Sequence, residues 1–226
     1  MLSRTTSIAN LREVTTERPY HHGNLRRALL AAAERTVRDR GVQDLSLREL
    51  AREIGVSHGA PRRHFPDRQA LLDALAQTGF ERLGAELRGA ADGAGDEFQA
   101  RLEATAAAYI RFATADPALL DLMFASKHRE TQPTLHEEME RAFSVMMELI
   151  QQGQAAGRLQ PGDPESVGLV LFSTIQGIAA LLTAGMISPD QLDNLTSDAI
   201  AYFLRGSRTS QRGVVSATSS RGSPDS

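Results

Sequence analysis

The 226-residue chain contains no cysteine and no tryptophan, and aromatic residues make up only 5% of it. The absence of cysteine excludes disulfides, thiolate zinc sites and cysteine nucleophiles. No unbroken apolar run approaches the roughly 18 residues that a membrane span needs. Residues 1–18 are rich in Ser, Thr and Arg and lack the apolar centre of a signal peptide. We therefore expect a cytoplasmic protein.

Sequence motifs of catalysis are also missing. There is no Gly-rich phosphate loop, no nucleophile elbow and no His-Glu-x-x-His pair. His21 and His22 are adjacent, but neighbouring side chains on an extended chain point in opposite directions and no carboxylate accompanies them. The acidic cluster of Glu137, Glu138 and Glu140 fits a solvated helix face better than an acid/base pair. We predict no enzymatic activity, no cofactor and no metal site.

Basic residues concentrate in the first third of the chain. Residues 1–68 contain thirteen Arg against eight Asp and Glu, a net charge of +5, whereas residues 69–226 carry a net charge of −8. All basic residues of the first segment are Arg, which forms bidentate hydrogen bonds with phosphate and with guanine edges. A basic end on an acidic remainder is typical of a protein that contacts DNA through that end.

One segment, Leu45 to Phe65, has the pattern LSLRELAREIGVSHGAPRRHF and predicts two short helices joined by a tight turn. Ser46 and Glu49 have the spacing of a capping box at the start of the first helix. Gly55 supplies the backbone freedom to end that helix, and a second helix is expected over 57–64. The pattern indicates a helix-turn-helix, whose second helix enters the major groove of DNA. The alternative is an ordinary helical hairpin without a ligand.

Two residues modify the second helix of this pair. Pro61 lies about one turn into it and cannot donate a backbone hydrogen bond, so we expect a short and slightly irregular helix. Phe65 ends the helix and is followed by Pro66. We expect its ring to pack into the core rather than to stack on a base.

Three stretches, YHHGNLRRALLAAA, SLRELAREIGVS and HFPDRQALLDAL, resemble the N-terminal domain of the TetR family of transcriptional repressors. The resemblance runs from Tyr20 to Leu75, about a quarter of the chain, and implies a three-helix DNA-binding domain. Where the family commonly has a Tyr that binds phosphate, this chain has Arg62, which can contact phosphate or read guanine. The positions that contact DNA in the family correspond here to Ser46, Arg48, Ser57, His58, Gly59, Arg62, His64 and Arg68.

Helical signals continue along the rest of the chain, and strand signals are nearly absent. Cap residues followed by proline at 116–117, 163–164 and 188–189 predict helix starts, and Asp67 predicts the start of a long helix. We predict an all-α chain of about nine helices. It divides into a flexible arm at 1–18, a helix-turn-helix domain at 19–66, a helical ligand-binding and dimerisation domain at 67–205 and a disordered tail at 206–226.

Large flexible and aromatic side chains gather in the second half of the chain. Core filling explains any one of them, but their concentration favours an adaptable apolar pocket. YIRFATADPALLDLMF and FSTIQGIAALLTAGMI resemble the C-terminal domain of a TetR subgroup with a Trp-His-Gly signature. Phe172 and Gln176 replace its Trp and His, and Gly177 is retained. The candidate pocket residues are Tyr109, Phe112, Met123, Phe124, Phe143, Met146, Met147, Phe172 and Gln176.

The predicted helix over 164–185 is apolar around most of its circumference, so it must be covered on several sides. In the TetR family the last two helices pair with their copies as a four-helix bundle, and one reading helix alone covers only a few base pairs. The resemblance therefore implies a homodimer. Its candidate interface residues are Ile178, Leu181, Leu195, Ala199 and Phe203.

These features together predict a homodimeric, ligand-responsive transcriptional regulator. We expect a repressor that binds a pseudo-palindromic operator in double-stranded DNA and that a small-molecule effector releases. Two alternatives stay open. The first is a DNA-binding regulator without a small-molecule switch, and the second is a non-regulatory small-molecule carrier.

Overall fold

The computed structural model describes residues 22–127 and 133–206, and this part of the chain contains helices and no strand. The predicted all-α fold is confirmed. The predicted arm at 1–18 and the tail beyond residue 206 lie outside the described residues. Eight α-helices follow one another here: α1 His22–Arg40, α2 Leu47–Glu53, α3 Arg68–Gly93, α4 Phe98–Ala115, α5 Pro117–Lys127, α6 Pro133–Ala155, α7 Pro164–Thr183 and α8 Leu192–Gly206.

Helices α1 and α2 and the turns around them, residues 22–66, form a small unit that we call the head. Its core is built from Leu29 and Ala33 of α1, Leu50 of α2 and Phe65, all of them buried. The prediction that Phe65 fills the core is confirmed, because its side chain is only 2% exposed. Ala51 is fully buried as well, and its small side chain lets the turn after α2 pack closely.

The second helix of the predicted helix-turn-helix, expected over 57–64, is not an α-helix in the structure. After Gly55, whose φ of 74° ends α2, the chain makes turns and one 3-10 turn at Pro61–Arg63. The amides of Arg63 and His64 donate to the carbonyls of the third residue back, as in a 3-10 turn. Pro61 has no amide to donate to the carbonyl four residues back, so the regular pattern cannot be completed there.

The predicted capping box at the start of α2 is also not formed. Ser46 holds the N-cap position with extended backbone, but its side chain makes no capping hydrogen bond. By contrast, Asp67 caps α3 as predicted, because its carboxylate accepts a hydrogen bond of 2.8 Å from the amide of Ala70.

Helix α3 connects the head to the remaining helices, α3 to α8, which we call the body. Buried side chains extend along α3 from Leu71 to Ala91. The helix packs against α1 of the head and against α4, α5 and α6 of the body. At Gly84 the backbones of α3 and α6 approach so closely that an added Cβ would lie 3.0 Å from the Cα of Ala142. This helix therefore belongs to the packing of both parts.

Helix α7 alone among the described helices is long and apolar enough, by length and composition, to cross a membrane. It has 20 residues, and its most apolar window has a mean hydropathy of 1.8. Ser, Thr, Gly and Gln interrupt this window, which is why it contains no long unbroken apolar run. In the fold, one side of α7 packs against α4, α6 and α8, and 22% of the apolar window is buried within the protomer.

Candidate DNA-binding surface and ligand cavity

The reading turn of the head, residues 57–64, presents polar groups to solvent. Ser57, His58 and Gly59 are exposed in the turn that follows α2, and Arg62 is exposed in the 3-10 turn. Arg48 is exposed in the first turn of α2. Within the part of the chain that the structure describes, neither arginine forms a salt bridge. Five of the eight predicted DNA-contacting positions are thus open to a ligand.

The other three predicted positions are less open. Ser46 and His64 are half-buried. Arg68 is exposed, but its guanidinium is engaged within the protein, because Nε donates a 2.9 Å hydrogen bond to the carbonyl of Leu45. A second guanidinium nitrogen donates to the carbonyl of Val42. Arg68 therefore fixes the loop before α2 against the start of α3.

Several other arginines of the head are also engaged in its own structure. Arg35 of α1 pairs with Glu53 of α2 at 2.8 Å, and the guanidinium of Arg26 lies 5.4 Å from the centre of the Phe65 ring. Arg63, in the same 3-10 turn as Arg62, is exposed and forms no salt bridge to a described residue. It was not among the predicted contacts, although the local density of arginine could have indicated it.

A cavity of about 380 Å³ opens in the body between α3, α4, α5, α6 and α7. Its walls are aromatic rings and methionines, and Phe172 lies at the centre of the ring cluster. Its ring centre is 5.3 Å from those of Tyr109 and Phe143 and 6.2 Å from that of Phe124. Six of the predicted pocket residues line this cavity: Tyr109, Phe124, Phe143, Met146, Met147 and Phe172.

The remaining predicted pocket residues lie elsewhere. Phe112 stacks under the guanidinium of Arg82, 5.3 Å away, and Met123 is buried against Gly79. Gln176 lies behind the cavity wall, where its side-chain oxygen accepts a hydrogen bond from the hydroxyl of Tyr109. Burial raises the pKa of Tyr109 far above its ordinary value, so the phenol stays a neutral donor.

Six further residues that were not predicted as pocket residues also line the cavity. Most are aliphatic or small, and nothing in a sequence distinguishes such residues from ordinary core. Glu165 is different, because it is the only charged residue among the described residues that line the cavity. The six are Leu87, Met139, Glu165, Gly168, Leu169 and Ile175.

Two family profiles match the chain. Residues 29–75 match the bacterial regulatory proteins of the TetR family, and residues 102–203 match the tetracyclin repressor-like C-terminal domain. The chain belongs to the TetR family of DNA-binding transcriptional regulators. The two matches cover most of the head and most of the body, as the resemblance of the sequence predicted.

Solved structures share this fold. A protein of unknown function from Rhodococcus sp. RHA1 is 46% identical over 85% of this chain and 100% of its own, with a TM-score of 0.79. A TetR-family regulatory protein from Rhodococcus RHA1 shares the fold at 19% identity over 82% of this chain and 97% of its own, with a TM-score of 0.64. A TetR-family regulator from Thermus thermophilus does so at 17% identity over 78% and 97%, with a TM-score of 0.62. No curated protein matches the chain.

In this TetR-family chain, an ion-pair network connects the head to the body. Asp116, at the end of α4, is buried and accepts hydrogen bonds of 3.0 and 2.6 Å from the guanidinium of Arg38 in α1. The same carboxylate accepts from the amide of Leu119 and so caps α5. Glu34 of α1 pairs with Arg38 and with Arg82 of α3, each at 3.0 Å. The hydrogen bond from Arg38 to Asp116 raises the pKa of the Arg38 guanidinium, which therefore stays charged.

The outer face of α7 leaves large apolar side chains in solvent. Leu169 is 64% exposed, Val170 60% and Leu181 38%, and Tyr202 of α8 is 67% exposed. Of the predicted interface residues, Leu181 lies on this face. Ile178, about one turn before Leu181, is instead part of the protomer core and only 6% exposed. The other three predicted residues, Leu195, Ala199 and Phe203, are half-buried against the core.

Proposed function

We propose that the protein is a ligand-responsive transcriptional repressor that binds a pseudo-palindromic DNA operator as a homodimer. The observation that carries the proposal is the exposed guanidinium of Arg62 in the reading turn, which no described residue pairs, beside exposed Ser57, His58 and Gly59. Arg48 adds a second exposed guanidinium at the start of α2. Guanidinium groups bind phosphate or guanine through paired hydrogen bonds, and hydroxyl and imidazole groups add contacts to backbone and base edges.

The apolar outer face of α7 and α8 supports the homodimer. Leu169, Val170, Leu181 and Tyr202 form an exposed apolar surface of a kind that marks an interaction site. Serine, threonine and glycine lie between these residues on α7, and small residues allow a second helix to approach closely. A two-fold dimer would bring two heads to half-sites one helical turn of DNA apart. A protein of this kind works in the cytoplasm and needs neither a cofactor nor catalysis.

The cavity and the ion-pair network together support the ligand switch. Helix α4 contributes Tyr109 to the cavity wall and ends at Asp116, which binds Arg38 of the head. A ligand that displaced α4 would therefore act on the orientation of α1. The effector would release DNA by binding more tightly to the conformation whose heads do not fit two successive major grooves.

Selection of binding sites from random duplex DNA tests the proposal. We expect the enriched sequences to share an inverted repeat. Two alternative functions give other results. A small-molecule carrier would enrich no sequence. A regulator without a ligand switch would enrich the repeat and would stay bound to that DNA when ligands fill the cavity. Failure of the folded protein to enrich any sequence at low salt would refute the proposed DNA-binding function.

A further inference from the structure

The lining of the body cavity specifies the chemical class of its ligand. We infer that the cavity binds a lipophilic cation, an apolar body that carries one positive charge. The inference rests on the proposed function, because it takes this cavity to be the effector site. It goes beyond that function by naming what the site recognises.

The apolar part of the ligand is indicated by the walls. Tyr109, Phe143 and Phe124 surround Phe172, with their rings in tilted or edge-to-face arrangements. Aromatic faces carry partial negative charge and attract cations, and the attraction grows where water is excluded. Methionine side chains adapt to irregular apolar shapes. The methionines of the wall are Met139, Met146 and Met147, all on α6.

The positive charge is indicated by Glu165. Glu165 lies on the first turn of α7, is exposed to solvent, and is the only charged residue among the described residues that line the cavity. It forms no ion pair with any residue of 22–127 or 133–206. No Arg, Lys or His is present in this lining. The lining therefore combines aromatic rings with one solvent-exposed negative charge that no described residue pairs.

An anionic ligand has no comparable support. The amides at the start of α7 could in principle bind an anion, but Asp163 already occupies them. Its carboxylate accepts from the amide of Glu165 at 3.2 Å and from that of Ser166 at 3.1 Å. The Ser166 hydroxyl donates a third hydrogen bond to this carboxylate, at 2.7 Å. The hydroxyl bond, and after it the two amide bonds, lower the pKa of Asp163, so its side chain stays negative. An anion at the first turn of α7 would thus meet the carboxylates of Asp163 and Glu165.

The test compares three probes that share one naphthalene body. They are trimethyl(naphthyl)ammonium, its neutral carbon isostere tert-butylnaphthalene, and the anion naphthalenesulfonate. Binding of each to the full chain is measured by titration without DNA, so that the result can be read even if the proposed operator binding fails. We expect the cation to bind, and Glu165→Gln to weaken it by about three- to tenfold while leaving the isostere unchanged.

Two further variants complete the test. Glu137→Gln removes an exposed carboxylate of α6 that does not line the cavity, and it should change none of the affinities. Phe172→Leu keeps an apolar side chain but removes the central ring, and it should weaken the cation more than the isostere. The inference is overturned if Glu165→Gln weakens cation and isostere alike, if the anion binds best, or if none of the three probes binds. Thermal unfolding of each variant shows that it is folded.

Discussion

The head and the body of this protein place their functional groups by different means. In the head, the candidate DNA contacts from Arg48 to Arg62 lie within one short segment, and local turns position them. In the body, five helices contribute to the cavity, from Leu87 in α3 to Ile175 in α7. A surface made by one segment can change with a few substitutions near it. A cavity made by five helices depends on the packing of the whole body.

The two parts also use charge differently. In the head, the guanidinium groups of Arg48 and Arg62, which no described residue pairs, face solvent where a polyanion can reach them. In the body, charged groups join helices to one another, as Arg88 of α3 does by binding Glu148 of α6 at 2.6 and 2.8 Å. This difference predicts that neutralising Arg48 or Arg62 changes DNA affinity, whereas neutralising Arg88 or Glu148 changes stability.

The largest effect is expected at the outer face of α7. The double variant Val170→Glu, Leu181→Glu puts two charges on the proposed dimer interface, where burial without partners should cost about 3 kcal/mol or more. Both residues are exposed in the protomer, so the variant should fold, become monomeric by sedimentation and bind the selected operator at least about a hundredfold more weakly. Gln151→Glu, an exposed change on α6, is the control. An unchanged dimer with full operator affinity would show that this face is not the interface.

The next effect is expected in the head. Arg48→Ala and Arg62→Ala should each weaken operator binding by about 1–3 kcal/mol, because each removes a charge-assisted contact to phosphate or base. Their folding should be unaffected, since neither guanidinium forms an ion pair with a described residue. Arg35→Ala is the matched control: it removes an arginine of the head that is already paired with Glu53, and its operator affinity should change less. Equal affinity of both variants and the wild type would remove these residues from the DNA-binding surface.

The role of Arg62 can be defined further by salt and sequence dependence. As a phosphate contact, which we expect, its loss should weaken all sequences alike and reduce the slope of log affinity against log salt by about one. As a base reader, its loss should relax preference at one operator position in each half-site. A repeated selection with Arg62→Ala distinguishes the two roles. A loss of preference at one position would contradict our expectation.

A smaller effect is expected where head and body meet. Asp116→Asn keeps the shape of the side chain but removes the charge that binds Arg38, and we expect a loss of about 1–2 kcal/mol in the free energy of unfolding. The value is modest because the Arg38 side chain is 46% exposed and water screens the pair. Asp121→Asn, an exposed change on the helix α5 that Asp116 caps, should have almost no effect. Equal urea unfolding midpoints for the two variants would show that the pair does not join head to body energetically.

The smallest effect is a pH dependence in the body. The hydrogen bond from Arg88 lowers the pKa of Glu148 below its ordinary value of 4.5. Stability from this pair is therefore present above pH 4.5 and is lost as the pH falls through the lowered pKa. Both side chains are over two-fifths exposed, so the contribution should stay below about 1 kcal/mol. Urea unfolding should show the gap between the wild type and Glu148→Gln closing on acidification. A gap that stays constant from neutral pH to about pH 3 would contradict this assignment.

The features that the sequence could predict are mostly local ones, and the features that it could not predict depend on tertiary packing. Local signals succeeded where neighbouring residues decide the outcome: the cap at Asp67, the turn at Gly55 and the proline-marked starts of α5 and α7. The sequence also indicated Pro61 as a source of irregularity, although the regular helix is replaced entirely by a 3-10 turn. It could not tell that Ile178 faces inward, because α7 is apolar on almost every side.

Tertiary packing decided the remaining features. Phe112 and Met123 have the same chemical character as Phe124 and Met146, and only the crossing of the helices determines which of them line the cavity. Glu165 gave no signal in the sequence, since an acid in the first turn of a helix is ordinary. Its significance comes from the apolar and aromatic side chains that line the same cavity.

The central claim is that two linked heads bind one operator through their basic reading turns. The most direct measurement is the mass of the complex on the selected operator and on a duplex with a single half-site, together with the affinity for each. We predict two chains on the full operator, affinity that falls linearly on a log–log plot against salt, and no stable complex on the half-site. One chain bound to the half-site with the affinity of the full operator would contradict the account.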